Sequence, residues 1–213
     1  MADAKIGDMT AIGALADGDE IAIADASAPT ADVAATLVQF RDYMGSGMRK
    51  VSTAAQSPAA GSSVYLVGSD IAVPPALLRI GTVFRWTLCF SKTGAGVAAR
   101  AHVIRIGTLG TTGDAAIVTL TSGTPSGVAD QGVQVITAIV RGPLSASCIL
   151  QASSWAIHQL STTGLFPNET EVLLATSTTW NATTASLIVG LSVTSGTSEA
   201  LTYEQVITEV YNL

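Results

Sequence analysis

His102 and His158 are the chain's two imidazoles, and each stands in a strand-like stretch with no carboxylate close to it in sequence. A hydrolase triad needs a nucleophile, an imidazole and an orienting acid in contact. No Gly-x-Ser-x-Gly elbow accompanies these histidines; Gly123-Thr-Pro-Ser-Gly127 has the wrong spacing and reads as a turn. The His-Glu-x-x-His zinc spacing does not occur. Gly107-Thr-Leu-Gly110-Thr-Thr-Gly113 resembles a phosphate loop only superficially. It lacks the Lys-Ser/Thr that would reach phosphate and Mg²⁺, and strand signals follow it, so a hairpin connection is expected. Acids that could pair for glycan hydrolysis are sparse: Glu169 and Glu171 lie two apart on a loop edge, and Asp114 and Asp130 lie in turns. Cys89 and Cys148 sit in apolar strand-like contexts without Cys-x-x-Cys spacing. Buried free thiols are the default for a chain made in a reducing cytoplasm, with a disulfide left open. These residues lead us to expect no enzymatic activity, no cofactor and no metal site. Trp155, Trp180, Tyr65 and Phe166 admit two readings. They stack on sugars, which would make a host surface glycan a partner, or they anchor the core or an interface.

Charge is scarce and unevenly placed. Of the 213 residues 12% are charged and 48% hydrophobic, against roughly a quarter charged in an ordinary soluble domain. Charges keep free surface in water, so a chain this short of them hides surface against partners, as an obligate oligomer does. A membrane span is not expected, because no stretch of about 18 residues is free of strongly polar groups. The N-terminus shows no basic n-region or apolar h-region, so no secretory signal is expected. Residues 1–43 hold eight acids against Lys5 and Arg41, a sum of −6, whereas 44–213 hold eight of each sign and sum to zero. The acidic fifth reads as a solvated arm or as a docking segment for a complementary surface. Arg79, Arg85, Lys92, Arg100 and Arg105 follow one another with no acid between. Nucleic acid is nevertheless not an expected partner, since the sequence pI is about 4.7 and strand arginines often pair with carboxylates from elsewhere.

The elements that would position these residues fall into three parts: an acidic module over 1–44, a Gly/Ser/Ala/Pro-rich linker over 45–62 and a β domain over 63–213. In the first, a short strand follows a turn at 18–23, and a helix is expected from Asp32, as N-cap, to Met44. Val33, Leu37, Phe40 and Met44 would form one helical stripe. With Ile6, these are the candidate docking or trimer-interface residues, the alternative being that the stripe packs on its own domain.

From Ser63 the pattern has period two. In 83–90, Phe84, Trp86, Leu88 and Phe90 share one face, a heavy aromatic core face. Further strands are expected near 64–67, 77–80, 101–107, 115–121, 132–141, 146–158, 170–176, 186–194 and 201–211, with Gly-, Ser- and Pro-rich turns between them. The fold class is mostly β, an antiparallel β-sandwich of jelly-roll type, with an immunoglobulin-like sandwich as second choice. Neither face of 201–211 is cleanly apolar, which suggests a sheet edge or a subunit interface.

Two stretches carry a resemblance. Lys5-Ile-Gly-Asp-Met-Thr10, Leu15-Ala-Asp-Gly-Asp-Glu-Ile-Ala-Ile-Ala-Asp25 and Leu37-Val-Gln-Phe-Arg-Asp-Tyr43 resemble the N-terminal module of many phage tail-fibre and head-fibre proteins. There a KIS-x-L start leads to a D-x-L-x-I-V-D strand and a T-x-x-V-T-x-x-x-L segment. Here Gly7-Asp8 replaces the usual Ser-x, and the stretch before Leu37 is Ala-rich. Ile80-Gly-Thr-Val-Phe-Arg-Trp86, Lys92-Thr-Gly-Ala-Gly96 and Arg105-Ile-Gly-Thr-Leu-Gly-Thr-Thr-Gly-Asp-Ala-Ala116 are similar to a β domain that recurs in phage virion proteins. The resemblance implies a homotrimer on the outside of a phage particle, synthesised in the host bacterial cytoplasm. The N-terminal module would fix it to other virion proteins, foremost the major capsid protein. The shortness of the chain favours capsid decoration, as a cement or head-fibre protein, over a short tail fibre or receptor-binding adhesin.

Overall fold

A computed structural model describes residues 20–24, 32–36 and 48–212, apart from 75, 76, 95, 96, 161, 197 and 199. The chain divides into two compact units, Met1–Ser46 and Gly47–Leu213.

In the first unit, β1 (Glu20–Ala24) pairs antiparallel with β2 (Asp32–Thr36), Ile23 opposite Val33 and Ile21 opposite Ala35. This corrects the expected helix start at Asp32. Alanine's helix propensity is a weak preference, and cross-strand pairing with the β-branched Glu20–Ala24 segment overrides it. Val33 is therefore a strand residue. Ile6, Leu37, Phe40 and Met44, and the rest of the expected stripe, lie outside the described residues.

The second unit is an antiparallel sandwich, as the alternation implied. One sheet has the order β11-β10-β9-β6-β13-β3 and the other β4-β12-β7-β8, with β5 also on β12. The strands are β3 (Met48–Ser52), β4 (Ser63–Tyr65), β5 (Ile71–Val73), β6 (Val83–Lys92), β7 (Ala101–Gly107), β8 (Ala115–Thr121), β9 (Asp130–Gly142), β10 (Ile149–His158), β11 (Thr170–Thr176), β12 (Leu187–Thr194) and β13 (Leu201–Tyr211). Take β3, β5, β6 and β7 as the outward arm of a long ribbon, and β8, β9, β12 and β13 as the return. First then pairs with last throughout, as β3·β13, β5·β12, β6·β9 and β7·β8. That is jelly-roll connectivity. The hairpin β10–β11, inserted between β9 and β12, widens one sheet past the roll.

The core sits between the sheets. Phe84, Trp86, Leu88 and Phe90 of β6 are buried on the expected face and meet Leu187, Val189, Leu191 and Val193 of β12 in one apolar cluster. Each such side chain contributes about 1.5–3 kcal/mol by leaving water. The buried Trp86 indole N–H donates to Ser69 O at 2.8 Å, so burial costs it no hydrogen bond.

Three expectations shift. Residues 45–62 contain β3, so the sandwich begins at Met48; its exposed Arg49 and Lys50 mask a strand that serves as a charged sheet edge. Residues 77–80 form a turn, in which Leu77 N donates to Pro74 O and Thr82 N to Arg79 O, and β5 lies upstream of it. β13 lies inside its sheet, between β6 and β3. Its faces look mixed because the register with β6 shifts between Tyr203 and Gln205. Leu201 and Tyr203 point inward before that bulge, and Val206, Thr208 and Val210 after it.

Candidate functional site

The outer face of the six-stranded sheet can be built row by row from the register. Val172, Trp155, Val135, Thr87, Ile207 and Val51 stand in line across all six strands. Trp155 is 46% exposed and Val172 64%. The next row runs Leu174, Ser153, Thr137, Arg85, Glu209 and Arg49, with Leu174 74% exposed and Arg49 within 3.9 Å of Glu209. Charge on these rows is confined to β6, β13 and β3. The outward positions of β9, β10 and β11 between Val133 and Ile139, Gln151 and Ile157, and Thr170 and Thr176 carry none. This half of the face is apolar and hydroxyl-lined, able to lie against another surface with little desolvation cost.

Where this face ends, Cys89, Gln131, Val133, Ile157 and Glu204 line an open depression of about 530 Å³. The ring of His158 does not reach it, because its side chain is fully buried. His158 Nδ1 contacts Asp130 Oδ2 at 2.5 Å, and Nε2 lies 2.7 Å from Asn168 O. Both partners accept hydrogen bonds. The two ring nitrogens are therefore engaged within the protein. Asp130 also accepts from Leu165 N at 2.9 Å and Gln131 N at 2.8 Å. Burial alone would raise its pKa, but these hydrogen bonds and the His158 charge hold it below the usual carboxylate range. His158 thus has a carboxylate partner after all. With both nitrogens engaged and the ring buried, the dyad is a clamp that ties β9 and β10 to the 164–168 loop. Gly164, at φ 98°, lies where any Cβ would overlap the Asp130 carboxylate.

His102 is fully buried, and burial followed by the nearby Arg100 charge lowers its pKa to about 3. The neutral ring lies 2.8 Å from Tyr203 Oη. Arg100 lies over the rings of Phe90 and Phe166, 4.7 and 4.6 Å from their centroids. The run of bases noted in the sequence therefore forms no single surface. Lys92 and Arg100 are interior, Arg85 is on the outer face, and Arg105 clamps the β7–β8 loop through Thr112 O and Asp114 O.

That loop is the hairpin connection expected of residues 107–113, and it cradles an anion of its own. Asp114 accepts hydrogen bonds from the backbone N–H groups of Thr108, Leu109, Gly110 and Thr111 at 2.7 to 3.3 Å. The phosphate-loop likeness arises because the chain builds a nest of amides and fills it with this carboxylate. Asp114→Ala is expected to destabilise the protein by about 2–3 kcal/mol. Urea denaturation would measure it, and amide exchange should quicken at Thr108–Thr111 before anywhere else.

The aromatic residues singled out for sugar stacking do not converge. Trp155 is on the outer face, Trp180 and Phe166 are in the core, and Tyr65 is half-buried. Cys89 and Cys148 are both free thiols. Among the described residues, no cluster of His, Cys, Asp and Glu could hold a metal ion, and no helix is long and apolar enough to cross a membrane.

No family model and no curated protein matches the chain. Among solved structures, a protein of unknown function from Shewanella oneidensis MR-1 is similar at 9% identity over 78% of this chain and 87% of its own, with a TM-score of 0.35.

Proposed function

We propose that this protein is a structural component of the exterior of a bacteriophage particle. In this reading it is a homotrimeric capsid decoration protein, of cement or head-fibre type, with no catalytic role. The N-terminal unit docks on other virion proteins, foremost the major capsid protein, and the jelly roll provides the trimer contacts.

The observation that carries this reading is a coincidence of two boundaries. The structural division falls between Ser46 and Gly47, and the whole charge of −6 falls before it, leaving the sandwich at zero. An acidic unit is suited to finding a basic surface by long-range attraction. A neutral sandwich is suited to packing against its own copies without repulsion. The likeness of residues 5–43 to the N-terminal module of phage fibre proteins, and of 80–116 to a β domain that recurs in phage virion proteins, supplies the setting. A short tail fibre is the second reading, favoured by Trp155, an aromatic ring open to a receptor beside a depression. Gold label directed at the sandwich should decorate the heads of intact particles; label confined to tails would replace the first reading with the second.

A further inference from the structure

We infer that the uncharged outward rows of β9, β10 and β11 are the seat of a second copy of this chain. The inference gives the oligomer of the proposed function its contact surface, and rests on that reading only for the oligomer's place in a particle.

The first argument is that β11 is incomplete within its own fold. Its seven residues alternate between exposed and half-buried, and none is buried. Leu173 and Ala175 lean on the core, while Val172 and Leu174 project from the other side into solvent. A strand gains its place in a sheet by packing at least one face, and the outer face of β11 has nothing against it. Among the described residues no strand pairs with its free edge, although β8 of the other sheet lies close by.

The second argument comes from comparing the two edges of the same sheet. β3 at one end carries exposed Arg49 and Lys50, the charged residues with which proteins discourage pairing. β11, Thr170–Thr176, has neither Lys nor Pro, and its one charge, Glu171, turns inward to accept the Gly123 N–H. One edge is protected and the other is left open.

The third argument concerns which partner fits. The exposed apolar surface of Val172, Leu174, Trp155 and Ile157 is on the order of 400 Å², the size of the largest patch a monomer leaves to water, and it is contiguous by register. Exposed residues such as Leu109 and Val67 are scattered over loops. Between Val133 and Ile139 on β9, and along β10 and β11, the outward rows carry no charge, Arg141 standing past Ile139 at the end of β9. These rows offer a foreign partner no electrostatic feature by which to select them. A second copy brings the same neutral surface and a sandwich of net charge zero.

Light scattering on the full chain should give a multiple of 21.6 kDa. Leu174→Lys and Trp155→Glu, both at exposed positions, should weaken association by on the order of thirtyfold or more with an unchanged circular dichroism spectrum. Leu109→Lys, at a site of similar exposure on the β7–β8 loop, should leave the mass unaltered. Amide exchange along β11 should slow as protein concentration rises. A wild-type multimer whose mass survives both face variants overturns the inference and leaves the proposed function standing. A wild-type monomer overturns both the self-contact and the trimer. A monomer that loses particle attachment on Leu174→Lys assigns the face to another virion protein and overturns the second copy.

Discussion

Asp130→Asn is expected to destabilise the sandwich by about 3 kcal/mol at neutral pH, the scale on which breaking a buried ion pair acts. The amide has the shape of the carboxylate but only one acceptor oxygen. Asp130 Oδ2 serves both His158 Nδ1 and Leu165 N, and Oδ1 serves Gln131 N. Any orientation of an asparagine leaves an N–H of this set facing an amide N–H₂. The effect has a pH signature. The folded pKa of Asp130 lies below its unfolded value, so its contribution is full above about pH 3.9 and fades as pH falls toward the lowered folded value. The stability gap between wild type and Asp130→Asn should therefore narrow below pH 4. Urea titrations of both proteins at pH 7 and pH 3 would measure it. A gap of the same size at both pH values would mean that the carboxylate charge is not what holds the 164–168 loop.

The pairing of Asp130 with His158 shows what sequence reasoning can reach and where it stops. The two residues are 28 apart, and no local pattern joins them. Once β9 and β10 are recognised as consecutive strands, the register sets His158 opposite Gly132 and brings Asp130 within two residues of it. The missing step was therefore the register, which depends on where the 143–148 turn falls. The four-amide cradle around Asp114 was closer to the surface of the sequence, because a glycine-rich loop ending in an aspartate contains its own anion.

The strands of the roll were legible where a face is uniformly heavy, as in β6, and hidden where the usual rule inverts. On β10 the inward residues are Leu150, Ala152, Ser154 and Ala156, and the outward ones include Ile149, Trp155 and Ile157. Hydropathy alone would turn this strand over. The interior takes the small set because β6 already fills the space with Phe84, Trp86, Leu88 and Phe90, and a close-packed core has no room for a second row of bulk. The most informative surface of the molecule was thus disguised as core. The jelly-roll class could be inferred from strand number and spacing. β3 and β5 could not, because five and three residues with charged or sparse side chains carry too little alternation to register.

Deleting Glu204 should be far less damaging than deleting Thr87 from the neighbouring strand. The inward residues of β13 are Leu201 and Tyr203 before the bulge and Val206, Thr208 and Val210 after it, so Tyr203 and Val206 are three apart. Taking out the extra residue leaves them two apart, the spacing of an unbroken strand, and both halves keep their inner face. Tyr203 should stay buried beside the Phe90 ring and His102 Nε2. The deletion loses the exposed hydrogen bond from Ser91 Oγ to Glu204 and the local bend, a cost on the order of 1 kcal/mol. β6 pairs with β9 without a shift, and its Phe84, Trp86, Leu88 and Phe90 alternate onto one inner face. Removing Thr87 turns one half of that row out to solvent. The loss of two large buried side chains amounts to about 3–6 kcal/mol, comparable with the whole stability of a typical domain. The Thr87 deletion protein is expected to show no cooperative thermal transition, and the Glu204 deletion protein to melt cooperatively. Equal damage from the two would mean that the bend at the bulge is itself required. A large difference would place the effect in the phase of the strand, since the bulge carries a residue that the alternation of β13 does not need.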